Sequence, residues 1–247
     1  MSGGIALVTG GTKNLGRSVA LTLAGQGYDV AVTYLSDADA AVAVCAEIAE
    51  LGRTAHAVQM DLGDAASVAD GVGSVLERAG WVNVLVNCAA IRPRRALLEI
   101  TDDEWRRVID VNLTGPFLVS RAVAPEMIAH HSGAIVNIAG LVAYIGGGGG
   151  AVHIAASKAG LLGLTRALAD ELGPYGIRVN TVVAGRMETT RAEPVTDAKV
   201  AREIAATSLR RVAAIEEVAA TCAYLVSPAA AFVTGQAIHV NGGFYKS

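Results

Sequence analysis

From end to end, this chain alternates between short apolar runs that read as buried strands and longer segments with helical spacing. That alternation limits the fold more than any other feature. Residues Ile5, Ala6, Leu7 and Val8 are apolar without a break, as a strand buried on both faces of a parallel sheet requires. Further strands are expected at 30–34, 54–60, 82–86, 134–138, 177–183 and 237–240. Helices are expected at 17–26, 38–51, 65–79, 102–130 with a break near Gly115 and Pro116, 151–172 and 215–225. A polar, mixed segment covers 195–214. No linker or repeat interrupts the pattern, so residues 1–247 read as a single domain of α/β class. Right-handed crossovers then give one doubly wound parallel sheet of about seven strands. Ligands on such sheets sit outside the carboxyl ends of the strands, where the strand order reverses. The turns after the first, fourth, fifth and sixth strands are the places to look.

Composition narrows the function classes. The net charge is −3, with no acidic or basic block, which argues against nucleic acid and membrane surfaces as partners. The N-terminus has no secretory pattern, and no apolar run is long enough to span a bilayer, so a cytoplasmic location is expected. Cys45, Cys88 and Cys222 are widely spaced and read as reduced thiols; no cluster has metal-ligand spacing.

The turn Thr9-Gly10-Gly11-Thr12-Lys13-Asn14-Leu15-Gly16 joins the first strand to the first helix. Glycines let the backbone approach a pyrophosphate closely, and the helix N-terminus favours the anion. With this turn directly after a buried strand, a nucleotide site is the better reading than a plain structural turn.

Here the chain resembles the short-chain dehydrogenase/reductase family, whose usual turn is Thr-Gly-x-x-x-Gly-x-Gly. It departs only at Asn14, a residue that tolerates left-handed backbone. The resemblance continues through Asp61 and Leu62, then Asn87-Cys88-Ala89-Ala90 where Asn-Asn-Ala-Gly is usual, Asn112, Lys158, residues 180–189, and the closing Gly242-Gly243. Within that family it resembles members like the 3-oxoacyl-carrier-protein reductases. It implies a Rossmann-type fold, a dinucleotide cofactor, a small-molecule substrate and a homo-oligomer, dimer or tetramer. Cofactor contacts are then expected at Gly10, Thr12, Lys13, Asn14, Leu15, Gly16, Ser36, Asp61, Leu62, Asn87, Ala89, Lys158, Gly185 and Thr189. An acid ending the second strand would favour NAD(H), but the strand ends Thr33-Tyr34-Leu35-Ser36. Ser36 with Lys13 suits a 2′-phosphate, so NADP(H) is favoured. Arg17 reads as a surface cation.

The same resemblance exposes two gaps. The family places a Tyr four residues before its Lys, on one helix face, and a Ser in the preceding loop. Four before Lys158 stands Ile154, and the serine falls at Gly140 or Leu141. Ile has no ionisable proton, so it cannot serve as an acid. Catalytic candidates are therefore Lys158, the water-relay Asn112, and Tyr144 or His153 as replacement acids. His153 lies about 140° round the helix from Lys158 and should not share its face. Three readings stay open: other groups replace the acid; the substrate needs none, as an imine or in a non-redox lyase, isomerase or cyclase reaction; or the protein binds the dinucleotide without turnover, alone or beside an active partner.

Other features are secondary. Gly146 to Gly150 read as a flexible lip over the pocket. Ala184 stands where the family has proline, ahead of Gly185. Residues 190–209 resemble a substrate lid. Among basic residues, Arg92, Arg94 and Arg95 lie nearer the pocket mouth than Arg186, Arg191, Arg210 and Arg211. Cys88 reads as a small buried residue. Ala159, Leu162, Ala167 and Leu168 would form the oligomer face.

Overall fold

The computed structural model describes residues 5–147, 149–189 and 198–246. Its strands are β1 (Ile5–Thr9), β2 (Asp29–Tyr34), β3 (Ala55–Gln59), β4 (Val82–Asn87), β5 (Gly133–Gly140), β6 (Ile177–Ala184) and β7 (Ala237–Val240). They form one parallel sheet in the order β3-β2-β1-β4-β5-β6-β7. The order reverses between β1 and β4, so the carboxyl ends of these two strands frame the crevice.

Helices cover both faces: α1 (Asn14–Gly25), α2 (Ala38–Glu50), α3 (Ala65–Ala79), α4 (Asp102–Ile109), α5 (Gly115–Ala129), α6 (Val142–Ile145), α7 (Val152–Leu172), α8 (Ala198–Ala206) and α9 (Ile215–Val226). Alternation along each strand divides the core in two. Ala6, Val8, Val30 and Val32 face Leu23, Val44, Ile48 and Cys222 on one side. Ile5, Leu7 and Ala31 face Val72, Val123 and Met127 on the other. A fully buried aliphatic side chain such as Leu23 or Leu85 contributes about 1.5–3 kcal/mol.

Two boundaries differ from expectation. α1 begins at Asn14 rather than 17, because the glycine turn itself supplies the first helical residues. The long helix is two helices joined by a wide π turn over Asp110–Thr114, so the break precedes Gly115. Pro116 has no N–H to give the carbonyl four residues back, at Asn112, and the widened turn sits at that point. Among the described residues, no helix is long and apolar enough to cross a membrane, and no group of three or more His, Cys, Asp or Glu could hold a metal.

Candidate active site

The turn after β1 is shaped by contacts that leave no room for side chains. Gly10 has φ +63, and a Cβ there would lie 3.0 Å from Ala89 at the end of β4. A Cβ on Gly16 would lie 2.1 Å from the Gly10 carbonyl oxygen. Asn14 takes φ +45, the left-handed backbone expected of it. The Gly10 N–H donates to Thr33 Oγ1 at 3.1 Å, and Thr9 Oγ1 accepts from the N–H groups of Cys88 (3.0 Å) and Ala89 (3.2 Å). The strand ends are thus sewn together around the turn. The N-terminus of α1 has no side-chain cap and no acidic residue in its first turn. Such an end suits an anion, and the cradle fits a dinucleotide pyrophosphate.

At the end of β2, Lys13 forms an ion pair with Asp37, beside the exposed Ser36. Asp37 also caps α2 through the Ala40 N–H at 3.0 Å. Its carboxyl pKa is held below the usual range, first by the hydrogen bond from Lys13 and then by the Ala40 N–H. Exposed pairs of this kind contribute little, so Lys13 can exchange this partner for a phosphate. Arg17 is committed to Glu47 on α2.

Several expected cofactor residues also hold the scaffold together. Asp61 holds Arg107 at 2.9 and 3.1 Å. Leu62, expected beside the adenine, is part of the core. Asn87 Nδ2 donates to Asn137 Oδ1 at 2.9 Å; Asn137 donates to Thr165 at 2.9 Å; and Thr165 meets Thr181 at 2.6 Å. This buried polar chain ties β4, β5, α7 and β6 together, and the sequence reading missed it. Gly185 N–H donates to the Val240 carbonyl at 2.9 Å, and a Cβ at Gly185 would lie 2.8 Å from Asn241. Thr189 is half-buried beyond it.

Lys158 is buried, and its Nζ donates to the Ile138 carbonyl at 2.6 Å. Burial is the main cause of its pKa falling to about 8, with the charge of Arg92 adding to the effect. Asn112 Oδ1 accepts from the Ile91 N–H at 2.9 Å, while Nδ2 donates to the Ile91 carbonyl at 2.9 Å and to Ser157 Oγ at 3.2 Å. Both amide hydrogens are used, so Asn112 clamps the loop after β4 to α7, and the expected relay does not run through them. Ile154 is 4% exposed, enclosed by Val108, Ala151, Ile91 and Val142. Cys88 lies within reach of the Lys158 charge, and burial pushes its thiol up to about 11.

The replacement acids proposed from the sequence do not converge on Lys158. His153 is fully buried, with Nε2 3.3 Å from Glu104 Oε1 of α4. Its ring therefore turns toward α4, which corrects the catalytic expectation for His153 and bears out the helix-face argument. Tyr144 stands on α6, which the sequence reading missed. Its ring packs with His239 (centroids 4.7 Å apart) and Tyr245 (5.1 Å) at the β7 edge. Among the described residues no hydrogen bond joins Tyr144 to Lys158.

The glycine run is also corrected, although Gly148 lies outside the described residues. Arg94 donates to the carbonyls of Gly147 and Gly149, both at 3.0 Å, and the Arg95 N–H donates to the Gly150 carbonyl at 3.0 Å. Gly147 and Gly149 have positive φ, and Arg94, 53 and 55 residues before them, collects their carbonyls. Arg95 in turn pairs with Glu104 at 2.5 Å. Gly147, Gly149 and Gly150 are thus latched to the loop after β4. Of the remaining basic residues, Arg186 pairs with Glu203 at 2.6 Å and Arg211 with Glu217 at 2.5 Å. Arg191 and the first part of the expected lid, 190–197, lie outside the described residues. Leu162 faces the core beside Ala139 and Val183. The exposed stripe of α7 is instead Val152, Ala156, Ala159, Gly163 and Ala167.

Comparison with known proteins agrees with this fold. The family described as enoyl-(acyl carrier protein) reductase matches residues 10–245. The 3-oxoacyl-(acyl-carrier-protein) reductase of Staphylococcus epidermidis is 39% identical over 240 residues, covering 97% of this chain and 98% of that protein. That of Synechocystis sp. is also 39% identical, covering 97% and 96%. A blue fluorescent protein from a metagenomic library, solved in complex with NADPH, superposes with a TM-score of 0.93 at 35% identity, covering 99% of both chains. The acetoin dehydrogenase YohF of Salmonella typhimurium gives 0.89 at 30%, covering 98% and 96%.

Proposed function

The chain belongs to the short-chain dehydrogenase/reductase family, and from that premise we propose that it is an NADP(H)-linked oxidoreductase for a small carbonyl or imine, with Lys158 itself as the proton donor. The dinucleotide would lie on the Gly10–Gly16 cradle, its 2′-phosphate facing Lys13 and Ser36; the relative crystallised with NADPH supports this choice. When bound, it supplies or takes the hydride.

The single observation that carries the acid assignment is the buried amine of Lys158, lowered to about 8 beside a position that holds Ile154 instead of a phenol. A group of that pKa is mostly protonated at neutral pH and gives its proton far more readily than an ordinary lysine. The carbonyl of Ile138 takes one of its three N–H donors and fixes its direction. Ile91, Val142 and Ile154 pack together one helical turn before Lys158. The exposed small residues of α7 support a homo-oligomer, testable by light scattering.

Titration of NADPH by fluorescence, followed by a carbonyl and imine turnover screen of wild type, Lys158→Met and Ile154→Tyr, tests the reading. Turnover by wild type that is lost in Lys158→Met supports it. One observation favours a second reading, a relative that holds the dinucleotide without turnover: Ile154 is sealed and Gly140 carries no hydroxyl. NADPH binding with turnover only in Ile154→Tyr would establish that alternative.

A further inference from the structure

One carboxylate occupies two anion-attracting positions beyond the end of β2. Oδ2 of Asp37 forms the ion pair with Lys13, the exposed lysine of the glycine turn. Oδ1 accepts from the Ala40 N–H at 3.0 Å, in the first turn of α2. A lysine ammonium and the free N–H groups of a helix N-terminus are the two features that would otherwise draw a phosphate to this spot. Asp37 therefore stands where an anionic ligand would find both. Lys13 makes no other ion pair or hydrogen bond among the described residues. Its bond to Asp37 is also the main reason that the Asp37 carboxyl lies below its ordinary range, ahead of the bond from Ala40.

The surroundings do not make up for the charge that Asp37 takes. Arg17, the next cation along the cradle, is held by Glu47 of α2. Asp39 stands in the first turn of α2. Lys13 and Arg17 are thus set against Asp37, Asp39 and Glu47, and no positive charge is left over at this end. A 2′-phosphate must displace Asp37 from Lys13 rather than fill an open positive site. The ribose of NAD(H) has a hydroxyl in place of that phosphate and needs no such exchange.

We propose that Asp37 is a specificity-determining residue for the cofactor: it competes with the 2′-phosphate for Lys13 and so narrows the preference for NADP(H) over NAD(H). This rests on the placement of the 2′-phosphate at Lys13 and Ser36 given above, and adds the residue that sets how strongly it is favoured. In Asp37→Asn the side-chain oxygen can still cap α2, while the charge that holds Lys13 is gone.

The test is fluorescence titration of the full chain with NADPH and with NADH, in wild type, Asp37→Asn, Asp37→Ser, Lys13→Met and the double variant Lys13→Met with Asp37→Asn. Asp37→Asn should bind NADPH roughly two- to fivefold more tightly than wild type, the scale of an exposed ion pair, with NADH affinity unchanged. Asp37→Ser, which also keeps a helix-capping oxygen, should do the same, and melting curves check that both variants fold. The gain should shrink as salt is raised from about 0.02 M to about 0.5 M, since exposed charges are screened. It should be lost in the double variant, because the competition needs the lysine. Lys13→Met alone reports on the placement of the phosphate. No NADPH binding by wild type, or an NADPH affinity that does not fall relative to NADH in Lys13→Met, would overturn that placement and the proposal with it. Where Lys13→Met does weaken NADPH, three results overturn the proposal alone: unchanged NADPH affinity in Asp37→Asn, an equal gain for NADH, or a gain that persists without Lys13.

Discussion

Two turns at the same edge of the sheet have fared differently. The turn after β1 keeps its shape through backbone contacts: Gly10 against Ala89, Gly16 against the Gly10 carbonyl, and Asn14 in a left-handed conformation. The stretch from β5 into α7 keeps Lys158, has Ile154 at the position where a tyrosine is expected from the sequence and Gly140 or Leu141 where a serine is expected, and its Gly147 and Gly149 carbonyls are held by Arg94. Binding geometry is thus written into many packed backbone atoms, each hard to change alone. Proton chemistry is written into two or three side chains, which can change without disturbing the fold. On the function proposed above, the contrast is that a cofactor cradle and an acid site part company within one domain.

The contrast can be broken at either end. Lys158→Met should have the largest effect, lowering turnover by about 10²–10⁴-fold, the usual worth of a general acid, with kcat falling more than KM rises. Steady-state kinetics checks it. Next is Gly16→Ala, whose Cβ cannot fit 2.1 Å from the Gly10 carbonyl oxygen. Opening the turn to admit it costs about 1–3 kcal/mol, and NADPH affinity should fall by roughly tenfold to a hundredfold in a fluorescence titration.

A third prediction concerns pH and stability. The Lys158 pKa is about 8 in the folded chain against the ordinary lysine value of 10.5. The unfolded chain therefore binds more protons between these values, and this group's contribution makes stability rise with pH across that window. Below about 8 the amine is charged in both states and the cost of burying it is present in full. The stability gained by Lys158→Met in denaturant unfolding should accordingly shrink as pH rises from about 8 to 10.5. The smallest effect is expected for Arg94→Ala, which frees the Gly147 and Gly149 carbonyls: about 1 kcal/mol or less in stability, but faster amide exchange in the peptide spanning the glycine run.

The strands were legible because burial on both faces gives each an unbroken apolar run, as in residues 5–8, and the glycine turn was legible because it follows the first of them. Lys158 and the expected gap at Ile154 were read from the family resemblance. The latch on the glycines could not be read. A run of glycines looks free in sequence, and its restraint comes from Arg94, more than fifty residues earlier. The side-chain chain from Asn87 to Thr181 was hidden for the same reason, since its members lie on four separate elements. The π turn was half-visible: Pro116 marks a break, but only the clamp of Asn112 on Ile91 shows where it falls. His153 was legible in direction, since helical spacing turned it from Lys158, but its partner Glu104 was not.

The most direct test of Lys158 as the proton donor is the pH dependence of NADPH oxidation with the best substrate of the screen, in wild type and Lys158→Met. The account predicts a rate that falls as pH rises through about 8 in wild type, and a residual rate without that limb in the variant. A flat wild-type profile across that range, or a limb that persists once the amine is gone, would contradict it.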